Sequence, residues 1–389
     1  MQTRVQSVDP ANFNFATVDS EFPTLSTRSV IRGDSDQRAI NDAVELLKAG
    51  EAVGIPTETV YGLAANALSA EAVAKIFAAK NRPQDNPLIV HVSSLEMLKS
   101  ILPDQTVPKV YLPVIQRYWP GPLTIILPTS TLIPPSVTCN QPTVAVRFPS
   151  HPVARALIEA CGFPLAAPSA NSSGKPSPTL ASHVYDDLKG RIPLILDGGP
   201  CGVGVESTVL DGLRTPPAIL RPGGITYERL CELPSMNSLQ VYRKDFVDKQ
   251  LELAPTTPGM KYKHYSPEAK VVLFEHREGV NFGDRWKREL HDLVKHGAAA
   301  VKRVGILETV RDDEDIIKEA RLEGGIEYIS LQMGRHGQPK EVARDMFKGL
   351  RELDARQVDL IFVQGIPETD EGMAVMNRLR KAASKTIDL

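Results

Sequence analysis

Cysteine is scarce in this chain: four among 389 residues, at positions 139, 161, 201 and 231. None belongs to a Cys-x-x-Cys pair. That argues against zinc ribbons and a disulfide framework, and it fits a reducing compartment. A dominant charge is missing too. The formal net charge is −2 and the pI about 6.5, so no strongly basic field is available to hold nucleic acid unaided. No apolar run approaches the ~18 residues a membrane span needs, so no membrane role is expected. Familiar catalytic signatures are absent as well. There is no G-x-x-x-x-G-K-[ST], because Gly174-Lys175 is preceded at position 169 by serine. There is no HExxH and no GxSxG. Any chemistry must use dispersed residues on strand ends.

Proline, by contrast, is plentiful: 31 residues, or 8%, against a usual ~5%. Twenty-nine of them precede residue 268. Charge runs the other way: residues 268–389 hold 44 of the 92 charged side chains. The chain therefore carries two kinds of protein with a seam near Pro267. We expect a loose N-terminal arm over 1–30, a first domain over 31–235, a linker over 236–267 and a second domain over 268–389. The arm is poor as a mitochondrial presequence and lacks the apolar core of a signal peptide, so a cytoplasmic protein is expected.

Apolar periodicity predicts helices over Asp34–Lys48, Ala70–Ala79, Val153–Ala160 and Ala181–Leu188. Short strands are predicted at Ala52–Pro56, Leu88–Val92, Leu123–Leu127, Thr143–Phe148, Leu194–Leu196, Ser207–Asp211 and Ala218–Leu220. Strands outnumber helices, which predicts an α+β domain on a mixed sheet. The tail alternates: strands at Val271–Phe274, Val304–Leu307, Tyr328–Leu331 and Leu360–Gln364, and helices at Asp284–Lys295, Asp313–Arg321, Pro339–Leu353 and Asp370–Ala383. That alternation predicts a smaller, doubly wound parallel α/β domain, so the chain is α/β overall.

Four stretches are richer in polar, loop-type residues than packing needs. Pro56-Thr-Glu-Thr-Val-Tyr-Gly62 follows an apolar strand; it either holds a small polar ligand or forms a capping box. Lys80-Asn-Arg82 leads into Asn86 and Pro87. An extended segment there would turn both cations to one side, as a polyphosphate site requires. His91 by default is a satisfied core histidine. Pro168-Ser-Ala-Asn-Ser-Ser-Gly-Lys-Pro-Ser-Pro-Thr179 offers hydroxyl and backbone N–H donors to phosphate oxygens. Asp197–Thr208 and Leu220–Gly224 are glycine-rich turns, and Ser207 and Arg221 share a cleft if their strands are neighbours. Between the domains, Pro255–Pro267 is rich in breakers yet carries Tyr262, Tyr265, His264 and two lysines. Such a segment suits a surface-lying lid better than a plain tether.

Taken together these stretches resemble one family, the YrdC/Sua5 threonylcarbamoyl-AMP synthases. The resemblance rests on Pro56–Leu63, Lys80–Pro83 with Asn86–Leu88, Trp119–Thr124, Val144–Pro149, Ala167–Asn171, Glu206–Val209 and Leu220–Gly224. Pro258–Pro267 looks like the linker of the long, Sua5 form, and the tail ending Met376–Lys381 resembles its extra domain. The family condenses L-threonine, bicarbonate or CO2, and ATP into threonylcarbamoyl-AMP and pyrophosphate. That product feeds the N6-threonylcarbamoyladenosine modification of tRNA through a downstream threonylcarbamoyl-transferase machinery.

Carried over residue by residue, the resemblance implies a catalytic tetrad of Lys80, Arg82, Ser169 and Asn171. It implies threonine contacts at Thr59, His91, Arg147, Ala167 and Ser207. It implies ATP contacts at Arg82, Asn86, Thr143, Ser169, Ser177, Arg221 and Tyr265. Mg²⁺ is expected to arrive with ATP, not in a protein cage. The chemistry also accounts for the missing nucleophile motif, because the carbamate made from threonine is itself the nucleophile. An RNA-binding module using the same cations is the alternative, and the acidic pI argues against it.

Overall fold

Helix Asp34–Lys48 buries Ala39, Ile40, Ala43, Val44 and Leu47 on one face, which is the periodicity that marks it in the sequence. The computed structural model describes residues 1–17, 22–253, 255–257, 264–295, 301–310, 320–323 and 325–388. The chain divides into two units: residues 1–173 with 177–261, and residues 174–176 with 262–389.

The first unit is built on an eleven-stranded mixed sheet. Its order is Arg4–Ser7, Leu194–Asp197, Val53–Ile55, Gly62–Asn66, Leu165–Ala166, Ile89–His91, Thr143–Arg147, Leu123–Pro128, Thr208–Asp211, Ala218–Arg221 and Gln240–Val241. Helices Asp34–Lys48 and Pro152–Cys161 pack with Val53, Ile55, Leu194 and Leu196 in one core cluster.

The N-terminus is not the loose arm expected. Arg4–Ser7 runs parallel to Leu194–Asp197, and Phe13–Thr17 pairs with Thr27–Ile31 as an antiparallel hairpin. Asp36, in the first turn of its helix, accepts hydrogen bonds from Asp9 N at 3.2 Å and Asn12 Nδ2 at 2.7 Å. The Arg155 guanidinium, on helix Pro152–Cys161, lies 3.8 Å from the centre of the Phe15 ring, a cation–π contact between that helix and the hairpin. The other end of the unit also differs. Residues 236–257 fall in the first unit, where Gln240–Val241 extends the sheet and Tyr242 and Leu251 join its core.

The second unit is a six-stranded sheet ordered Ala320–Glu323, Ile326–Arg335, Arg303–Val310, Leu360–Gln364, Lys270–Phe274 and Lys385–Ile387. All its pairings are parallel except that of Ala320–Glu323 with Ile326–Arg335. Helices Phe282–Lys295, Pro339–Ala355 and Gly372–Ala382 intervene between strands. The helix expected over Asp313–Arg321 lies mostly outside the described residues. Its last two positions, Ala320 and Arg321, are strand. Gly325, at φ +82°, supports the fold-back that pairs Glu323 with Ile326, a backbone region glycine enters without strain. Among the described residues, no helix is long and apolar enough to cross a membrane.

Candidate active site in the first unit

Register builds the first half of the site. Parallel pairing sets His91 beside Arg147, and antiparallel pairing sets Arg147 beside Thr124. Residues paired across strands point to the same face of a sheet, so one polar row crosses three strands inside an apolar core. Just before the next strand, Thr208–Asp211, Ser207 adds a hydroxyl 2.7 Å from Thr124 Oγ1. Arg221, on the neighbouring strand, donates to Ser207 O at 2.9 Å and to Ser207 Oγ at 3.2 Å. Ser207 and Arg221 thus do share one place. Gly223 permits it: a Cβ there would stand 2.3 Å from Glu206 O and from Thr208 N.

Loops supply the second half. In the 56–62 stretch, Thr57 Oγ1 accepts from Thr59 N at 3.2 Å and donates to Val60 O at 2.6 Å. The carboxylate of Glu58 therefore closes no capping box. It lies 2.6 Å from Arg147 in an ion pair whose side chains are only 13% and 5% exposed. Arg147 also donates to Thr59 Oγ1 at 2.8 Å. The 168–179 loop is tied to this stretch by Ala170 N donating to Tyr61 O and Leu63 N to Pro168 O, both at 2.8 Å. Val203 N donates to Glu58 O at 2.8 Å, and Gly204 N to Thr59 O at 3.1 Å. Ser177 Oγ donates to Glu206. Ala167 N donates to Ile89 O at 3.0 Å, which sets Ala167 beside the His91 strand.

Lys80 departs from expectation. Helix Ala70–Lys80 runs one residue further than predicted, and Asn81 closes it in the left-handed region at φ 50°. Lys80 and Arg82 therefore do not share an extended segment. The Lys80 ammonium, 2% exposed, donates to the carbonyls of Ser169 and Asn171, with Asn171 Oδ1 at 3.4 Å. Three members of the tetrad thus meet. Arg82 donates to Asn86 O at 2.8 Å and Pro87 O at 3.2 Å within its own loop. Asn86 Oδ1 and Thr143 Oγ1 are buried atoms that make no hydrogen bond among the described residues. Thr143 opens the strand that Arg147 closes, roughly 13 Å away at ~3.3 Å per residue. Tyr265 belongs to the second unit, where it is buried, 5.3 Å from the Phe347 ring.

Burial sets the charge states. His91 is pushed down to about 3 by desolvation and then by the Arg147 charge, so the ring is neutral. Its Nδ1 lies 3.1 Å from Ile89 O. His151 is likewise lowered by burial, and the Cys201 thiol is raised by it. Burial also pushes Glu58 up. Arg147, together with the backbone N–H groups of Glu58 and Ser150, more than reverses this and leaves the carboxyl below its usual range. The group that sequence reasoning did not single out is Glu58. Its signal was a carboxylate inside the first motif, and its partner is distant in the chain.

Known proteins share this chain's pattern. The Sua5/YciO/YrdC family profile, described as "Telomere recombination", matches residues 45–223. A second, described as "Threonylcarbamoyl-AMP synthase, C-terminal domain", matches 225–384. The threonylcarbamoyl-AMP synthase of Schizosaccharomyces pombe is 45% identical, over 99% of this chain and 98% of that one. The same-named protein of Bacillus subtilis is 41% identical, over 90% and 95%. The crystal structure of P. abyssi Sua5 complexed with L-threonine aligns with a TM-score of 0.76 at 38% identity, covering 93% of this chain and 98% of that one. The row across the sheet and the loops that close on it are carried by a chain that belongs to the YrdC/Sua5 family, through its first unit and through a Sua5-type second one.

Proposed function

We propose that this chain is an L-threonylcarbamoyladenylate synthase, a nucleotidyltransferase acting on L-threonine, bicarbonate or CO2, and ATP. The threonine amine adds to the CO2 carbon. A carbamate oxygen then attacks the α-phosphorus, and the bond to the bridging oxygen breaks to release pyrophosphate. The protein has to orient these atoms, exclude water and offset the charge of the leaving group. In this reading Thr59, His91, Arg147, Ala167 and Ser207 hold threonine. Arg82, Asn86, Thr143, Ser169, Ser177, Arg221 and Tyr265 hold ATP, and Lys80, Arg82, Ser169 and Asn171 serve the transfer. A cation ~4 Å from a phosphate oxygen at an effective dielectric near 20 contributes about 4 kcal/mol before desolvation. Mg²⁺ enters as part of the ATP substrate. The product passes, in the cytoplasm, to a threonylcarbamoyl-transferase machinery acting on tRNA.

The observation that supports this best is the buried Lys80 ammonium gathering Ser169 and Asn171 beside the loop that carries Thr59. The test is incubation of the full chain with ATP, L-threonine and bicarbonate, with pyrophosphate and the adenylate followed by mass. Pyrophosphate release that requires both threonine and bicarbonate is expected; ADP and phosphate as main products would overturn the reading.

A further inference from the structure

Glu58 has no role in the scheme above, yet it is the closest charged group to Arg147. Their side chains approach to 2.6 Å. The Glu58 carboxylate oxygens are shielded from solvent, and the backbone N–H groups of Glu58 and Ser150 help Arg147 to hold the carboxyl in its charged form. Arg147 is held on two further sides, by Thr59 Oγ1 at 2.8 Å and Gly121 O at 3.4 Å. His91, His151 and Cys201 also feel this pair. Each is held in its neutral form, the two imidazoles because burial lowers them and the thiol because burial raises it. These three groups therefore add no charge to the Arg147–Glu58 ion pair, which is itself neutral overall.

That balance bears on what the subsite accepts. An unpaired buried guanidinium attracts any carboxylate. A guanidinium already neutralised by a buried carboxylate attracts a second carboxylate only weakly, because the two anions repel in a low dielectric. A ligand that brings its own cation escapes that repulsion. An α-amino acid does so, carrying its ammonium two bonds from its carboxyl carbon.

We propose that Glu58 is a specificity-determining residue: its carboxylate, paired with Arg147, makes the subsite select a zwitterionic α-amino acid over a simple carboxylate. The inference rests on the reading of Arg147 as a threonine contact and adds a residue to it. Glu58 acts through its charge and needs no contact with the ligand.

The test uses calorimetric titration of the full-length protein with L-threonine and with β-hydroxybutyrate, which keeps the carboxylate and hydroxyl but lacks the amine. Glu58→Gln is expected to lower the preference for threonine by roughly tenfold, weakening threonine and tightening β-hydroxybutyrate. Glu58→Asp, which keeps the charge, is expected to retain the preference and covers the case in which the glutamine variant fails to fold. Equal weakening of both ligands in Glu58→Gln would overturn the proposal, because Glu58 would then merely hold Arg147 in place. An unchanged preference in that variant, or a preference lost in Glu58→Asp, would overturn it too. A wild-type protein that binds no threonine would overturn the substrate reading itself, a result distinct from the other three.

Discussion

The Glu58 carboxylate and the Arg147 guanidinium lie 2.6 Å apart inside the first unit, joining a loop to a strand 89 positions away. Burying either charge alone costs several kcal/mol, and the pair persists because each satisfies the other. Arg147 thereby keeps one orientation, with its fork fixed between Glu58, Thr59 and Gly121.

Replacing Arg147 by lysine keeps the charge and loses the fork. A lysine ammonium cannot hold Glu58 and Thr59 while pairing with an α-carboxylate in two-point fashion. Losing one charge-assisted hydrogen bond of ~1.5–3 kcal/mol corresponds to roughly tenfold or more in binding. Arg147→Lys should therefore raise the KM for threonine by at least that factor and leave the KM for ATP little changed. Steady-state kinetics with each substrate varied in turn decides it, and an equal rise in both would remove Arg147 from the amino-acid subsite.

His91 should make the protein acid-sensitive well above the carboxylate range. Its pKa is lowered to about 3 in the folded chain, against 6.5 for an ordinary histidine. Between those values the unfolded state binds the proton and the folded state does not. Stability therefore falls as pH drops from 6.5 toward 3, by at most about 1.4 kcal/mol per pH unit for this one group. Glu58, whose pKa is lowered, adds stability above pH 4.5 that is lost as its carboxylate protonates. Thermal melts from pH 7 to pH 4 should show a shallower decline in His91→Asn than in wild type. Parallel curves would mean that the folded and unfolded chains titrate this imidazole alike.

Lys80→Ala is expected to cost both activity and stability. As a loop cation it would have been expendable to the fold, but it is buried and donates to the carbonyls of Ser169 and Asn171. Leaving those acceptors unpaired costs about 1–3 kcal/mol each. Turnover should drop by well over tenfold and the melting temperature should fall. Arg82→Ala, in an exposed loop, should lose comparable activity with little change in melting. An active Lys80→Ala protein would remove the ammonium from the transfer step.

Much of this was legible in the sequence, and for a physical reason. Helices Asp34–Lys48 and Ala181–Leu188 appear with the ends their periodicity indicates, because each buries one continuous face. The strand Arg4–Ser7 was not visible. Its residues alternate weakly, three of the four are exposed, and its partner Leu194–Asp197 is about 190 positions away. Gly62–Asn66 was not visible either: it starts on the last residue of a polar stretch that suggested a loop, and its short side chains mark no strand. For the site, residue types could be read but not partners. Periodicity places His91 and Arg147 on strands; only sheet order sets them side by side. Glu58 was noticed as a carboxylate, yet nothing local distinguishes one that caps a turn from one that neutralises a distant arginine.

The boundary of the first unit moves the useful truncation point. The motif set is complete by Gly224, which alone suggests that cutting near residue 235 leaves a folded domain. The structure argues otherwise. Met236, Leu239, Val241, Tyr242 and Leu251 are all buried, and Gln240–Val241 is the last strand of the eleven. Each such side chain contributes about 1.5–3 kcal/mol by leaving water, so a fragment ending at 235 loses more than a typical domain's whole stability margin of ~5–15 kcal/mol can readily absorb. A fragment of residues 1–257 keeps them. It should melt cooperatively, whereas 1–235 should aggregate or melt without a transition. The longer fragment still lacks Tyr265 and the segment before it, so under the lid expectation it should fold and yet release pyrophosphate far more slowly than the full chain. Two measurements separate the cases: circular-dichroism melts of both fragments, and pyrophosphate release by 1–257. Similar melting of the two fragments would make residues 236–257 dispensable to the core. Full activity of 1–257 would reduce the residues that follow to a tether.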